Sequence, residues 1–310
     1  MSALIRLREF SEYRSVLMGV AIIFIMASHT LGGYAAYGII GVEWFLVLSA
    51  IGQYYSLKKN DNKLTYYKRR LIRILPAYLI VAIPFFLIKY PSSFQDFLIR
   101  LTGLNLFIWG EKLFWFVTLI IICYLIAPLY FKIVNNVEHS VFIPFILSGI
   151  FFILSFHTPK SEILLTRIPI FLLGMNLAKY VYEGQVIEDR NKVRTIAAIS
   201  IISVFLLLTI YIDGLGIEYV RVIYFLCGIP TLLFVLSVAK RLPFLKGALS
   251  FLGSISYELY LVHQHVALAI CLMLPFPRFA VVLLSYALAV ILAYLLHLAV
   301  NLLTVRQKER

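Results

Sequence analysis

Charge is scarce in this chain, and negative charge most of all. Asp and Glu number 15 against 28 Lys and Arg, and the two signs together make up only 14% of 310 residues, where soluble domains carry roughly 25%. That density cannot furnish a water-facing surface, so a soluble globular protein is excluded. Cysteine is rarer still. Cys123, Cys227 and Cys271 each fall inside an apolar run, so they supply no extracellular disulfide framework and read as small packing residues. The segment "SISYELYLVHQHV" has no histidine pair at i, i+4 and no carboxylate at ligand spacing, which argues against a metal. Low-complexity tracts, a clear internal repeat and any stretch polar enough for a soluble domain are also missing. Residues 1–310 therefore read as a single transmembrane domain with no appended soluble domain.

What the chain has is hydrophobic length. Apolar residues make up 62% and the mean hydropathy is +0.93. Runs long enough to span a bilayer, which takes about 20 helical residues, lie at 15–36, 38–57, 72–89, 113–132, 141–157, 163–182, 195–212, 218–238, 249–274 and 279–303. The run 163–182 is the weakest, since it contains Arg167, Pro169 and Lys179. The fold class predicted is an all-α integral membrane protein, a polytopic bundle of about ten transmembrane helices. The first run exceeds the ~7–15 apolar residues of a cleavable signal peptide and is expected to stay in the membrane.

A net charge of +13 raises nucleic acid as a partner, but the placement of the cations points to a lipid bilayer. With the N-terminus inside and every run crossing, all but seven of the 28 Lys and Arg fall on the inner side; Lys89, Arg100, Lys112, Lys160, Arg167, Arg221 and Arg278 are the outer ones. This is the positive-inside pattern. It puts both termini in the cytoplasm and the chain in a plasma membrane.

Ionisable residues inside such runs are costly and are functional candidates by default. In "FIMASHTLGG", His29 lies about 20 Å along the first span at 1.5 Å per residue, toward the outer face. His263 reaches a similar level on the ninth span, and Glu43 in "GVEWFLVLSA" enters from outside to about the same depth. His29, Glu43 and His263 can thus meet, with a neutral imidazole as general base and a carboxylate to orient it. A structural hydrogen bond from His263 to Glu43, Tyr257 or Tyr260 fits the same position. Glu258 falls about a turn and a half deeper. His265, two residues beyond His263, points to the other side of the helix and reads as interfacial. Trp109, Phe107 and Phe114 suit an interfacial or re-entrant outer segment, where an aromatic belt or sugar stacking fits equally.

At the inner face, "YYKRRLIRILPAY" gathers Lys68, Arg69, Arg70 and Arg73, with Arg70 and Arg73 on one helical face at i, i+3. These cations anchor the topology, or they bind a polyanion such as a nucleotide's phosphates, which arginine grips bidentately.

These stretches together resemble the bacterial membrane-bound acyltransferase 3 family: an apolar first span ending in His29, then "GVEWFLVLSA", "RRLIRILPAY", "FWFVTLIIICYLIAPLY", "RIPIFLLGM" and "SISYELYLVH". The resemblance implies about ten spans and transfer of an acyl group, usually acetyl from acetyl-CoA, from the cytoplasm to a carbohydrate acceptor at the outer face. It implies His29 as the catalytic histidine and Arg70 and Arg73 as the pair associated with the acyl donor. Two positions depart from the family pattern. Met18 stands where an Arg is usual, with Arg14 one turn below on the same face, and Ala50 replaces the Gly that usually follows the serine at position 49.

The expected protein is therefore a membrane-bound O-acyltransferase without a metal, using acetyl-CoA as co-substrate. Arg70, Arg73, Arg69, Lys68 and Arg14 would hold the donor, with Trp115, Tyr257, Tyr260 and Glu258 near the acceptor. A transporter of lipid-linked sugars or small solutes, or an inactive family member, are the alternatives.

Overall fold

The computed structural model describes residues 4–30, 38–59, 62–89, 93–209 and 217–306. Every apolar run carries helix: Arg14–Thr30, Ile40–Lys59, Lys63–Lys89, Trp115–Asn136, Phe142–Ser155, Ile168–Glu183, Arg190–Thr209, Ile217–Arg241, a broken segment from Lys246 to Cys271, and Arg278–Arg306. Among the described residues, six helical stretches are long and apolar enough to cross a membrane, and the chain is a multi-pass membrane protein. The C-terminal part of the first run, from residue 31, and the last residues of the seventh lie outside the described residues.

Ile40–Lys59 is the axis of the bundle, with every side chain from Ile40 to Ile51 buried. Small residues let its neighbours approach: a Cβ at Gly174 would crowd Val47 and Ala50, and one at Gly41 would press on Ala21 and Phe24. Without a hydrophobic drive between helices in lipid, such close backbone contact is what associates them. Helix Arg14–Thr30 crosses Lys246–Ser254 the same way. A Cβ on Gly19 would fall on the Leu249 carbonyl, and one on Gly253 on the Ser15 carbonyl. Glycine at both positions brings the chain after Ser254 alongside the C-terminal half of the first helix.

Two expectations change here. The ninth run is not one continuous helix: Lys246–Ser254 stops, Ser256–Val262 restarts, and His263–Leu268 forms a π turn before Ala269–Cys271. Hydropathy registers none of this, because the break falls among residues as apolar as their neighbours. The third helix begins at Lys63, so the cationic cluster sits on its first turns rather than in a loop before it.

Candidate active site

Three cations converge at one end of the bundle. Arg14 lies across the Ile40–Lys59 helix, its Nε donating to the Leu48 carbonyl at 2.8 Å. Gly52 makes this possible, since a Cβ there would meet the guanidinium. Arg70 is held between the rings of Tyr66 and Tyr124, 5.6 and 5.9 Å from their centroids, and donates from Nη2 to Ser56 Oγ at 3.0 Å. Arg73 meets Glu258 through Nη1 at 3.0 Å and Nη2 at 3.5 Å. All three arginines line one cavity of about 280 Å³, with Ser49, Gln53 and Met18 also in its wall. Lys68 and Arg69 are exposed and do not line it; the helical turn that points Arg70 and Arg73 inward points these two away.

Among the described residues, Glu258 is the carboxylate that pairs with these cations. It is fully buried and also accepts from His297 Nδ1 at 3.1 Å. Expected near the acceptor, it faces Arg73 and His297 and ties the Lys63–Lys89, Ser256–Val262 and Arg278–Arg306 helices together. The cavity keeps an excess of positive charge, and two of its buried polar atoms, Gln53 Oε1 and Arg70 Nε, have no hydrogen-bond partner among the described residues. A donor rich in phosphate and amide groups fits such a wall, since buried polar groups require partners.

The cavity reaches up to Phe45 and Phe116. From there a line of rings leads to His29. Tyr260 packs on Phe116 at 5.1 Å, its Oη accepting from the Phe116 N–H at 3.2 Å. Tyr260 lies 6.0 Å from His263, and His263 lies 5.2 Å from His29. Phe114, just before this helix, is buried with φ +49°, a left-handed conformation rare for a bulky residue. That turn fixes where Trp115 and Phe116 enter. Tyr257, expected beside Tyr260, instead lines the arginine cavity and donates to the Ile74 carbonyl at 3.1 Å.

His29 and His263 do come together; Glu43 does not join them. The Glu43 carboxylate pairs with Arg167, both buried, and Arg167 in turn stacks on Trp115 at 5.3 Å. A buried carboxylate demands a full counter-charge, which a permanently charged guanidinium supplies and a neutral imidazole does not. Nearby, Glu162 takes Arg221 and Lys112. Arg167 and Arg221, counted as outer-side cations in the sequence, are thus bound inside the bundle. His265, read as interfacial, packs on Phe114 at 4.9 Å and Phe85 at 5.3 Å. Trp109, one of the three aromatics read as a belt or a sugar-stacking surface, carries the Arg100 guanidinium over its ring at 4.8 Å.

Residues 16–298 match the acyltransferase 3 family, described as an acyltransferase domain. The chain belongs to the acyltransferase 3 family. No curated protein and no solved structure matches it. Membership makes the chain an acyltransferase, with an acyl donor, an acceptor and a bilayer around it. Several residues around this site were not singled out in the sequence. Ser49 and Gln53 stand at i, i+4 in an apolar run, a polar stripe that could have been noticed; Arg167 was visible only as an interruption, and His297 as an intramembrane histidine without a partner.

Proposed function

We propose that this acyltransferase moves an acetyl group from cytoplasmic acetyl-CoA to a hydroxyl of a carbohydrate at the outer side of a bacterial plasma membrane. The observation that carries the reading is the convergence of Arg14, Arg70 and Arg73 on a polar cavity at one end of a ring-lined path whose other end is His29. The chain crosses ten times with both termini inside. Supporting this, the N-terminal Ile5–Arg6 pairs with Val186–Ile187, and Glu9 binds Lys240 at 2.7 Å. The N-terminal segment and two inter-helix connections assigned to the cytoplasm thus share one face.

The arginines hold the donor's phosphates, and Gln53 and Ser49 meet its amide groups. Arg14 supplies at this wall the guanidinium that Met18 lacks. The bound donor contributes an activated thioester carbonyl. His29, exposed at the end of its helix, takes the proton of the acceptor hydroxyl as general base. The hydroxyl oxygen bonds to the acyl carbon, the carbon–sulfur bond breaks, and the proton passes from His29 to the leaving thiolate. Trp115 and Tyr260 flank the position where the acceptor meets His29.

The test compares the acetyl content of surface glycan in a strain lacking the protein and in strains complemented with wild type or His29→Ala. Acetyl esters should disappear on deletion and return only with the wild type. Full restoration by His29→Ala would overturn the role of His29, and unchanged acetylation in the deletion strain would overturn the choice of acceptor.

A further inference from the structure

The π turn that interrupts the ninth run changes what His263 can do. In the turn His263–Leu268, the His263 Nδ1 sits 3.0 Å from the Leu259 carbonyl and 2.9 Å from the Tyr260 carbonyl. Carbonyl oxygens only accept, so Nδ1 carries the proton and donates. That fixes the tautomer, and it leaves Nε2 with a lone pair. The side chain is only 5% exposed, and Nε2 has no partner among the described residues. An unmet buried acceptor of this kind is costly, and π turns of this sort recur at functional sites. The ring beside it, 5.2 Å away, is His29.

A general-base histidine needs a hydrogen-bond acceptor on its second nitrogen, which sets its tautomer and steadies the imidazolium it becomes. Glu43 is taken by Arg167 and Glu258 by Arg73 and His297, so neither buried carboxylate serves. Resting on the reading of His29 as the base, we infer that His263 is its positioning residue: His263 Nε2 accepts the hydrogen bond of the His29 N–H, filling with a tautomer-locked imidazole the place a carboxylate holds in other acyl-transfer sites. The two backbone carbonyls hold His263 as a carboxylate's own neighbours would hold it, and leave His29 one free nitrogen for the incoming hydroxyl. The other ionisable groups facing the pair are Tyr260, His265 and Lys89, with Tyr286 and Arg278 reaching Thr30 beside His29.

The test uses the full chain in native membranes, with His263→Gln and His263→Phe. Glutamine keeps an acceptor oxygen; phenylalanine keeps the ring volume and none. Incorporation of label from radioactive acetyl-CoA into envelope glycan should fall about 10²-fold in kcat for the phenylalanine variant, as loss of general-base assistance does. The glutamine variant should retain most of the lost rate, and KM for acetyl-CoA should stay within about twofold in both. A packing role predicts the opposite order, with phenylalanine the better substitute. That order, or a loss carried in KM, overturns the inference. A second readout needs no acceptor: the rate at which diethyl pyrocarbonate modifies His29, followed by mass spectrometry, should be similar in wild type and His263→Gln and several-fold slower in His263→Phe. Equal rates in all three overturn the inference even where wild-type membranes transfer no label, an outcome that would itself fall on the proposed function.

Discussion

Replacing Arg73 by alanine separates what this arginine does for the fold from what it does for the donor. Its partner Glu258 is fully buried, while the Arg73 side chain is 43% exposed at the cavity. Removing one partner of a fully buried ion pair destabilises by about 3–5 kcal/mol. Here water reaches the vacated side and His297 keeps its bond to Glu258, so the loss should be nearer the value of a hydrogen bond to a charged group, about 2 kcal/mol. Adding Glu258→Gln removes the stranded charge, so the double variant should regain most of the thermal midpoint lost by Arg73→Ala. Donor affinity should behave differently. Losing one charge-assisted contact to phosphate weakens acetyl-CoA binding roughly 10- to 100-fold, and Glu258→Gln should not restore it. Glu258→Gln alone leaves Arg73 uncompensated and should bind acetyl-CoA at least as tightly as wild type. Thermal unfolding and calorimetric titration of purified protein in nanodiscs read the two quantities. A double variant that recovers both stability and wild-type affinity would show that Arg73 serves only Glu258.

Arg70→Lys keeps the charge but loses the unpartnered Nε and the planar contact with Tyr66 and Tyr124; it should insert normally and bind acetyl-CoA roughly tenfold more weakly by calorimetry. Gly253→Val drives a side chain into the Ser15 carbonyl, so folded protein or transfer activity should drop with an overpacking cost of about 1–3 kcal/mol or more. Gly247→Ala, which meets nothing within 4 Å, should leave both unchanged. Glu43→Gln strands Arg167 and should lower the thermal midpoint by an amount equivalent to about 3–5 kcal/mol, whereas Glu43→Leu with Arg167→Met should be milder. Cysteines placed at Lys63 and Lys160 should differ toward an impermeant thiol reagent on intact cells, with only position 160 labelled; native Cys123, Cys227 and Cys271 are buried and keep the background low. Labelling at 63 would reverse the orientation.

Much of the fold was legible because hydrophobic length is a one-dimensional signal. All ten apolar runs carry helix, and the i, i+3 spacing of Arg70 and Arg73 puts both in one cavity while Lys68 and Arg69 turn outward. Depth was legible as well. Counting residues along two spans brought His29 and His263 to one level, and their rings are in contact. Rotation about the helix axes and the identity of partners were not. Glu43 stands at the expected depth but faces Arg167, a residue 124 positions away that the sequence shows only as an interruption in an apolar run. The pairing follows from which helix lies against which, and that was decided by glycines at crossings, Gly19 against Leu249 and Gly174 against Val47, whose meaning depends on contacts the sequence does not contain. The π turn was hidden for a similar reason, since "HQHVAL" differs in no local preference from an α-helical turn.

The buried charges then decide where chemistry is possible. Glu43, Glu162 and Glu258 are the buried carboxylates among the described residues, and each has a cationic partner: Arg167, Arg221 with Lys112, and Arg73 with His297. A carboxylate so engaged is a weak base and a poor ligand for a neutral substrate, because any new bond competes with an ion pair in a medium of low dielectric. Once those pairs are closed, two kinds of unspent polarity remain. Arg14 and Arg70, with no carboxylate partner among the described residues, leave their cavity positive and suited to a polyanion. The imidazoles of His29 and His263 supply nitrogen bases at the other end of the ring-lined path, suited to a hydroxyl. In the proposed reaction the thioester has to reach from the first environment to the second, along the rings of Phe116 and Tyr260 that separate them, while the donor's phosphates stay behind at the arginines.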